Sequence, residues 1–161
     1  MCSIRSPIPS SAKRANIFST RDGGLTWKNI TGDLPNRYYI DLQVSPQNDN
    51  ILYTALGGFG TSHLFRTKND GATWEDIGKG LPDFPTSAVI VDPATPTTIY
   101  VGNDQGIYVS KDNGQTWQSF NQGLPPAVIV MDLSISRSNN KIRAVTHGNG
   151  IFERSLLAHI E

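Results

Sequence analysis

Four side chains in this 161-residue sequence stand where an acid pair could act: Asp22, Asn69, Asp70 and Asp112. Two carboxylates flanking a glycosidic bond would suit glycoside hydrolysis, one as acid and the other as base or nucleophile. Their context points elsewhere. Each lies in a copy of one short pattern: Thr20-Arg21-Asp22-Gly23-Gly24-Leu25-Thr26-Trp27, Thr67-Lys68-Asn69-Asp70-Gly71-Ala72-Thr73-Trp74 and Ser110-Lys111-Asp112-Asn113-Gly114-Gln115-Thr116-Trp117. The common text is hydroxyl, any, Asp or Asn, any, Gly, any, Thr, Trp, after an apolar-polar-apolar run. Asn69 stands where the other copies carry Asp, and an amide cannot serve as a catalytic acid. The spacing suits a hairpin tip. An Asp or Asn side chain accepts backbone N–H bonds from a few residues on, and Gly24, Gly71 and Gly114 supply positive φ. Trp27, Trp74 and Trp117 then open the return strand, and inter-sheet packing is expected of them rather than sugar stacking.

Other chemistries find less support. Each pattern offers one or two acidic groups with no His or Cys companion, so no metal site is expected. His63, His147 and His159 form no ligand spacing. Cys2 stands alone in the N-terminal stretch, so no internal disulfide forms, and no Gly-x-Ser-x-Gly elbow occurs. Neither a catalytic residue nor a cofactor is expected. The charges balance, 14 basic against 14 acidic with no block of one sign, which argues against nucleic acid or an anionic membrane as partner. No apolar run reaches the length of a membrane span, so no membrane insertion is expected.

The elements that would position these residues follow from internal repetition. Trp27, Trp74 and Trp117 are 47 and 43 residues apart, and Pro35, Pro82 and Pro125 keep both intervals, as do Phe18, Phe65 and Tyr108. Tyr108 to Phe152 adds an interval of 44, although no fourth pattern follows. Periods in the forties with several short strands per unit are the signature of β-propeller blades. Alternation and turn residues place strands at 40–44, 51–56, 63–67 and 73–77, and again at 88–91, 98–102, 106–110 and 116–120. The ends are partial, with strands at 16–20 and 26–30 before and at 131–135, 141–146 and 150–155 after. The reading is all-β: four-stranded antiparallel blades, about three to four of them, divided as 16–35 (half blade), 36–82, 83–125 and 126–161 (incomplete). Residues 1–15 are polar, Pro/Ser-rich and without an apolar signal core, and are expected to form an irregular leader, tail or remnant. Residues 156–161 are a short fourth strand or a frayed end. Three blades are too few to close a ring, since propellers run from about four upward. The chain is therefore the C-terminal part of a longer propeller, or copies associate to complete a ring. Strand 26–30 could also supply the fourth strand of the last blade.

The repeated pattern resembles the Asp-box, or BNR repeat, of β-propeller proteins. That group includes sialidases, sortilin-type receptors, xyloglucan-degrading glycosidases and photosystem assembly factors. The resemblance spans residues 16–155 and implies a propeller, but its members do unrelated things. Sialidases use an arginine trio; Arg37, Arg66 and Arg143 are available here, yet their spacing does not select them. Xyloglucan-degrading relatives use two aspartates facing each other across a cleft between two propellers, of which this chain could hold only part. The segment Lys141-Ile142-Arg143-Ala144-Val145-Thr146-His147-Gly148-Asn149-Gly150-Ile151-Phe152-Glu153 looks like the closing blade of secreted bacterial sortilin-like or xyloglucanase-like repeat proteins, with Asn149 in place of their usual Arg.

Function in repeat folds concentrates in loops that break the repeat. On the face formed by second-to-third and fourth-to-first connections, the candidates are Tyr38, Tyr39, Phe59, His63, Asp104, His147 and Asn149. Aromatics among polar groups suit recognition of protein or glycan. The expected function is a non-catalytic recognition or scaffold module, extracytoplasmic or secreted. The alternatives are a C-terminal fragment of a glycoside hydrolase and a self-assembling half-propeller.

Overall fold

The structure is a computed structural model that describes residues 2–5 and 15–157. Among the described residues fourteen strands form four antiparallel sheets. The first holds β1 (Cys2–Arg5), β2 (Asn16–Ser19) and β3 (Lys28–Asn29). The second holds β4 (Tyr39–Val44), β5 (Leu52–Leu56), β6 (Leu64–Thr67) and β7 (Glu75–Asp76). The third repeats this with β8 (Thr86–Val91), β9 (Ile99–Asn103), β10 (Gly106–Ser110) and β11 (Gln118–Ser119). The fourth has β12 (Val130–Ser136), β13 (Lys141–Thr146) and β14 (Gly150–Ser155). Each sheet is a meander of neighbouring strands, and the innermost strands β4, β8 and β12 pack side by side. This is a partial propeller.

Strand alternation decides which junction each side chain fills. In β5, Leu52 and Leu56 point into the core shared with the first sheet, alongside Ile17, Ile30 and Trp74. Tyr53 and Ala55 point the other way, into the core shared with the third sheet, alongside Leu64, Ile77 and Val101. In β9, Tyr100 joins Phe120, Leu133 and Ile142 in the core between third and fourth sheets. A strand sandwiched on both faces reads as a continuous apolar run, which is why all of β5 and β9 is buried. Each fully buried aliphatic such as Ile17, Leu56 or Ile99 contributes about 1.5–3 kcal/mol.

The inner strands share a bulge at one position, between Tyr39 and Asp41, Thr86 and Ala88, and Val130 and Asp132. The bulge frees backbone N–H groups, and a carboxylate collects them. Asp41 accepts Leu42 N–H on Oδ1 and Val89 N–H on Oδ2, both at 2.8 Å, so one side chain ties β4 to β8. Burial pushes the Asp41 carboxyl up and the charge of Asp132 adds to this, while the two N–H bonds oppose it.

Several sequence expectations need correction. Cys2–Arg5 is a strand, not irregular leader, paired antiparallel with β2; the open N–H and C=O groups of β2 offer a template for it. The rest of the leader lies outside the described residues. Lys28–Asn29 pairs with Phe18 and Ser19, so this strand completes its own sheet and not the last one. The outer strands β3, β7 and β11 are two-residue ladders, shorter than expected, because the hairpin pattern consumes the residues before them. Leu156 and Leu157 leave the ladder to pack on the last core, where Leu157 N–H donates to the Tyr100 hydroxyl at 3.0 Å; residues 158–161 lie outside the described residues. Among the described residues no sheet covers the outer face of the first or the last sheet. Leu25 and Trp27 are exposed on the first sheet, and Val145 and Ile151 on the last.

Candidate functional site

The Asp-box side of the molecule is saturated with its own hydrogen bonds. In each copy the leading hydroxyl accepts the glycine N–H: Thr20 from Gly24 at 2.9 Å, Thr67 from Gly71 at 2.9 Å, Ser110 from Gly114 at 2.8 Å. The Asp or Asn Oδ1 accepts the N–H of the following Thr at 2.9 Å, in Asp22 to Thr26, Asn69 to Thr73 and Asp112 to Thr116. The second oxygen of Asp22 and Asp112 accepts the Thr hydroxyl, whereas Asn69 donates its amide to Thr73 Oγ1. Both carboxylate oxygens of Asp22 and of Asp112 are thus engaged within their own hairpin. The Thr116 hydroxyl and N–H bonds hold the Asp112 carboxyl down at about 2, and the corresponding bonds from Thr26 hold Asp22 well below the usual carboxylate range.

A carboxyl lowered in the folded state stabilises the fold above its unfolded value and loses that contribution as pH falls towards its folded value. Stability should therefore decline between about pH 4, the unpaired carboxyl value, and pH 2. The D22N/D112N protein, with boxes bonded as Asn69 already is, should fold and show a shallower acid limb. Urea denaturation at stepped pH measures this, and an unchanged limb would refute it.

The same boxes join neighbouring sheets. Trp74 Nε1–H donates to Ile30 O and Trp117 Nε1–H to Ile77 O, both at 2.9 Å. A Cβ on Gly71 would fall 2.6 Å from Ile30 O, and one on Gly114 2.8 Å from Ile77 Cβ. Trp74 and Trp117 thus pack between sheets as expected. Trp27 does not: no sheet precedes it among the described residues, and it is 41% exposed. The last sheet has no box, and Arg154, unanticipated from sequence, takes its place. Its Nη1 donates to Phe120 O at 3.0 Å and Gln122 O at 3.3 Å, with the guanidinium 3.5 Å over the Phe120 ring. The only sequence signal was a cation at an inward position of β14.

The opposite face gathers a different set. Arg37 Nη2–H donates to Phe59 O at 3.1 Å, and Phe59 meets Phe84 edge-to-face with centroids 6.1 Å apart. Tyr38 and Ile40 flank Gly57, and all three of Tyr38, Ile40 and Phe59 are exposed. Asp83 clips the loop, accepting Gly60 N–H at 2.8 Å and meeting His63 Nε2 at 2.8 Å. Those contacts, His63 first, lower the Asp83 carboxyl.

Of the residues expected on this face, Tyr38, Phe59 and His63 come together. His63 is a buried loop anchor rather than an exposed group. Tyr39 is misplaced by the sequence reading: it sits in the first core, its hydroxyl donating to Pro35 O at 2.9 Å, because the bulge after it turns its side chain inward. Asp104 lies in the β9–β10 turn, and His147 and Asn149 in the β13–β14 turn, at the same end of their sheets. Among the described residues no hydrogen bond links these three to the cluster. Arg37, Phe84 and Asp83 complete it, and their position in inter-blade connections was the available signal. The three arginines do not converge. Arg37 is on the loop face, Arg66 pairs with Glu75 beside a box, and Arg143 pairs with Glu153 on the outward face of the last sheet. Among the described residues no group of three metal-ligating side chains occurs.

The family model for Sortilin-Vps10 (Sortilin, neurotensin receptor 3) matches residues 62–155, more than half of the sequence. The chain belongs to the Sortilin-Vps10 family. No curated protein matches this Sortilin-Vps10 chain in sequence. Its fold is similar to the GH74 enzyme of Niastella koreensis (TM-score 0.69, 22% identity, covering 87% of this chain and 24% of that one). It is similar also to the GH74 xyloglucanase of Xanthomonas campestris (TM-score 0.67, 17% identity, 92% and 26%). A third similar structure is YCF48 bound to D1 peptide (TM-score 0.63, 20% identity, 90% and 46%). The Sortilin-Vps10 chain therefore spans from 24% to 46% of the length of these structures.

Proposed function

We infer that this chain is a non-catalytic recognition module whose loop face holds a segment of another protein. The observation that carries this reading is the exposed apolar cluster of Tyr38, Ile40 and Phe59, backed by Phe84 and edged by Arg37 and Asp83. Large aromatics beside a cation, with their loop already braced, are what interface anchors require. The His63–Asp83 clip and the Asp83–Gly60 bond supply that bracing. A similar structure has been described with a bound peptide, which supports the reading. A further structure of similar fold (TM-score 0.60, 13% identity) is an extracellular domain from B. thetaiotaomicron, in line with an extracytoplasmic setting.

The hydrolase alternative draws on the GH74 neighbours and on Asp41, whose carboxyl is raised. Both oxygens of Asp41, however, already accept backbone N–H groups that hold two sheets together. Xyloglucan incubated with the protein should stay intact; release of oligosaccharides that D41N abolishes would reverse the assignment. For recognition, a displayed random-peptide library should yield apolar-rich binders. Y38A/F59A should weaken them by about tenfold or more, a loss typical of interface anchors. A library returning no binder, or binders indifferent to the double substitution, would refute the reading.

A further inference from the structure

The two junctions built around complete boxes differ in one way that the repeat does not require. At the first, Arg21 reaches across from its box and donates to Asp49 O at 3.1 Å, Asn50 Oδ1 at 2.9 Å and Asp70 Oδ1 at 3.1 Å. This clasp leaves a notch of about 160 Å³. The equivalent residue at the second junction is Lys68, and the equivalents of Asp49, Asn50 and Asp70 are Pro96, Thr97 and Asn113. Thr97 brings no amide oxygen in place of that of Asn50 and Asn113 no carboxylate in place of that of Asp70, so Lys68 turns back to Glu75 at 3.2 Å. The clasp is missing, and a groove of about 640 Å³ stays open between the second and third sheets. That volume falls within the roughly 300–1,000 Å³ of small-molecule sites.

Its lining mixes polar and apolar surface, and its two cations share one carboxylate, Glu75, which lies outside the lining. Arg66 and Lys68 contribute cations, and Gln47, Asn48, Asn113 and Gln115 contribute side-chain amides, with no acidic residue among the lining groups. Arg66 is buried and fixed, pairing with Glu75 through Nε and donating from Nη1 to Asn113 O at 3.1 Å. Lys68 is exposed enough to swing towards a ligand. Ile51 and Pro96 add an apolar wall. Amides and a planar guanidinium suit hydroxyl groups, an apolar wall suits the C–H face of a sugar ring, and the surplus positive charge of the Arg66–Glu75–Lys68 cluster suits a carboxylate.

We propose that this groove is a second binding site, distinct from the loop face, for an acidic oligosaccharide of the uronic-acid type. Neutral sugars gain nothing from Lys68 and are bound less well. The site exists because Lys68 and Asn113 replace an Arg–Asp clasp, so restoring the clasp closes it.

Tetragalacturonate, titrated into the isotopically labelled protein, should shift the side-chain amide signals of Gln47, Asn48, Asn113 and Gln115. Cellotetraose should shift them little, and added salt should weaken the acidic ligand. K68R/N113D, which rebuilds the first junction's clasp, should bind at least about tenfold more weakly, as should K68E, which reverses the charge without demanding a new contact. Y38A/F59A should bind as the parent does. The proposal fails if tetragalacturonate shifts none of the four amides, if cellotetraose binds equally well, or if K68E and K68R/N113D both bind unchanged.

Discussion

Replacing Gly71 by alanine should cost the protein about 3 kcal/mol, and the same change at Gly24 about 1 kcal/mol. Both glycines have positive φ, +76° and +98°, so the conformational cost of a Cβ is common to the pair. They differ in what the new methyl meets. At Gly71 it enters the contact with Ile30, 2.6 Å from the carbonyl oxygen, in a buried junction of backbone against backbone. At Gly24 only the Trp27 ring lies within 4 Å, at 3.9 Å. Backbone cannot move aside as a side-chain tip can, so the difference measures the inter-sheet contact alone. Urea denaturation of G71A and G24A gives both numbers, and equal losses would mean that the glycines serve only their turns.

Trp74→Ala should be comparably damaging, at about 3–5 kcal/mol, because a buried indole leaves a cavity and its N–H bond is lost. Trp117→Ala should cost less, and Trp27→Ala least, at under about 1 kcal/mol, although the three residues occupy the same place in their repeats. Trp74 is 9% exposed and bonded to Ile30 O, whereas Trp27 is 41% exposed. Against a folded stability of about 5–15 kcal/mol, loss of Trp74 alone brings the chain near its unfolding threshold. Thermal melts of the three single variants test this ranking. A Trp27 variant as unstable as the Trp74 variant would show that the first sheet is covered in solution.

Much of this architecture was legible because its determinants are local. The hydroxyl, Asp or Asn, Gly and Thr of each box bond to one another within four residues, so their spacing alone specified the hairpin, and Asn69 showed that an amide suffices. Alternation and turn residues marked strands at 51–56 and 98–102, and the structure buries β5 and β9 on both faces. The loop cluster was half visible: Tyr38 and Phe59 stood out as aromatics, while Arg37 and Asp83 showed only as members of inter-blade connections on the same face, since nothing along the chain joins residues 37, 59, 63 and 83.

What the sequence by itself determined is the repeat: its period, its strands, the box that turns each hairpin, and the all-β class that follows. Only the tertiary structure decided which copies of a repeated residue do the same job. Tyr39 is buried because a bulge reverses its side chain; Trp27 is exposed because, among the described residues, no sheet covers it as one covers Trp74. Arg154 closes the last junction in place of a box, and Lys68 leaves open the groove that Arg21 fills one sheet earlier. The physical reason is common to all four. A hydrogen bond within four residues depends on spacing, but a contact between sheets depends on what the next sheet presents.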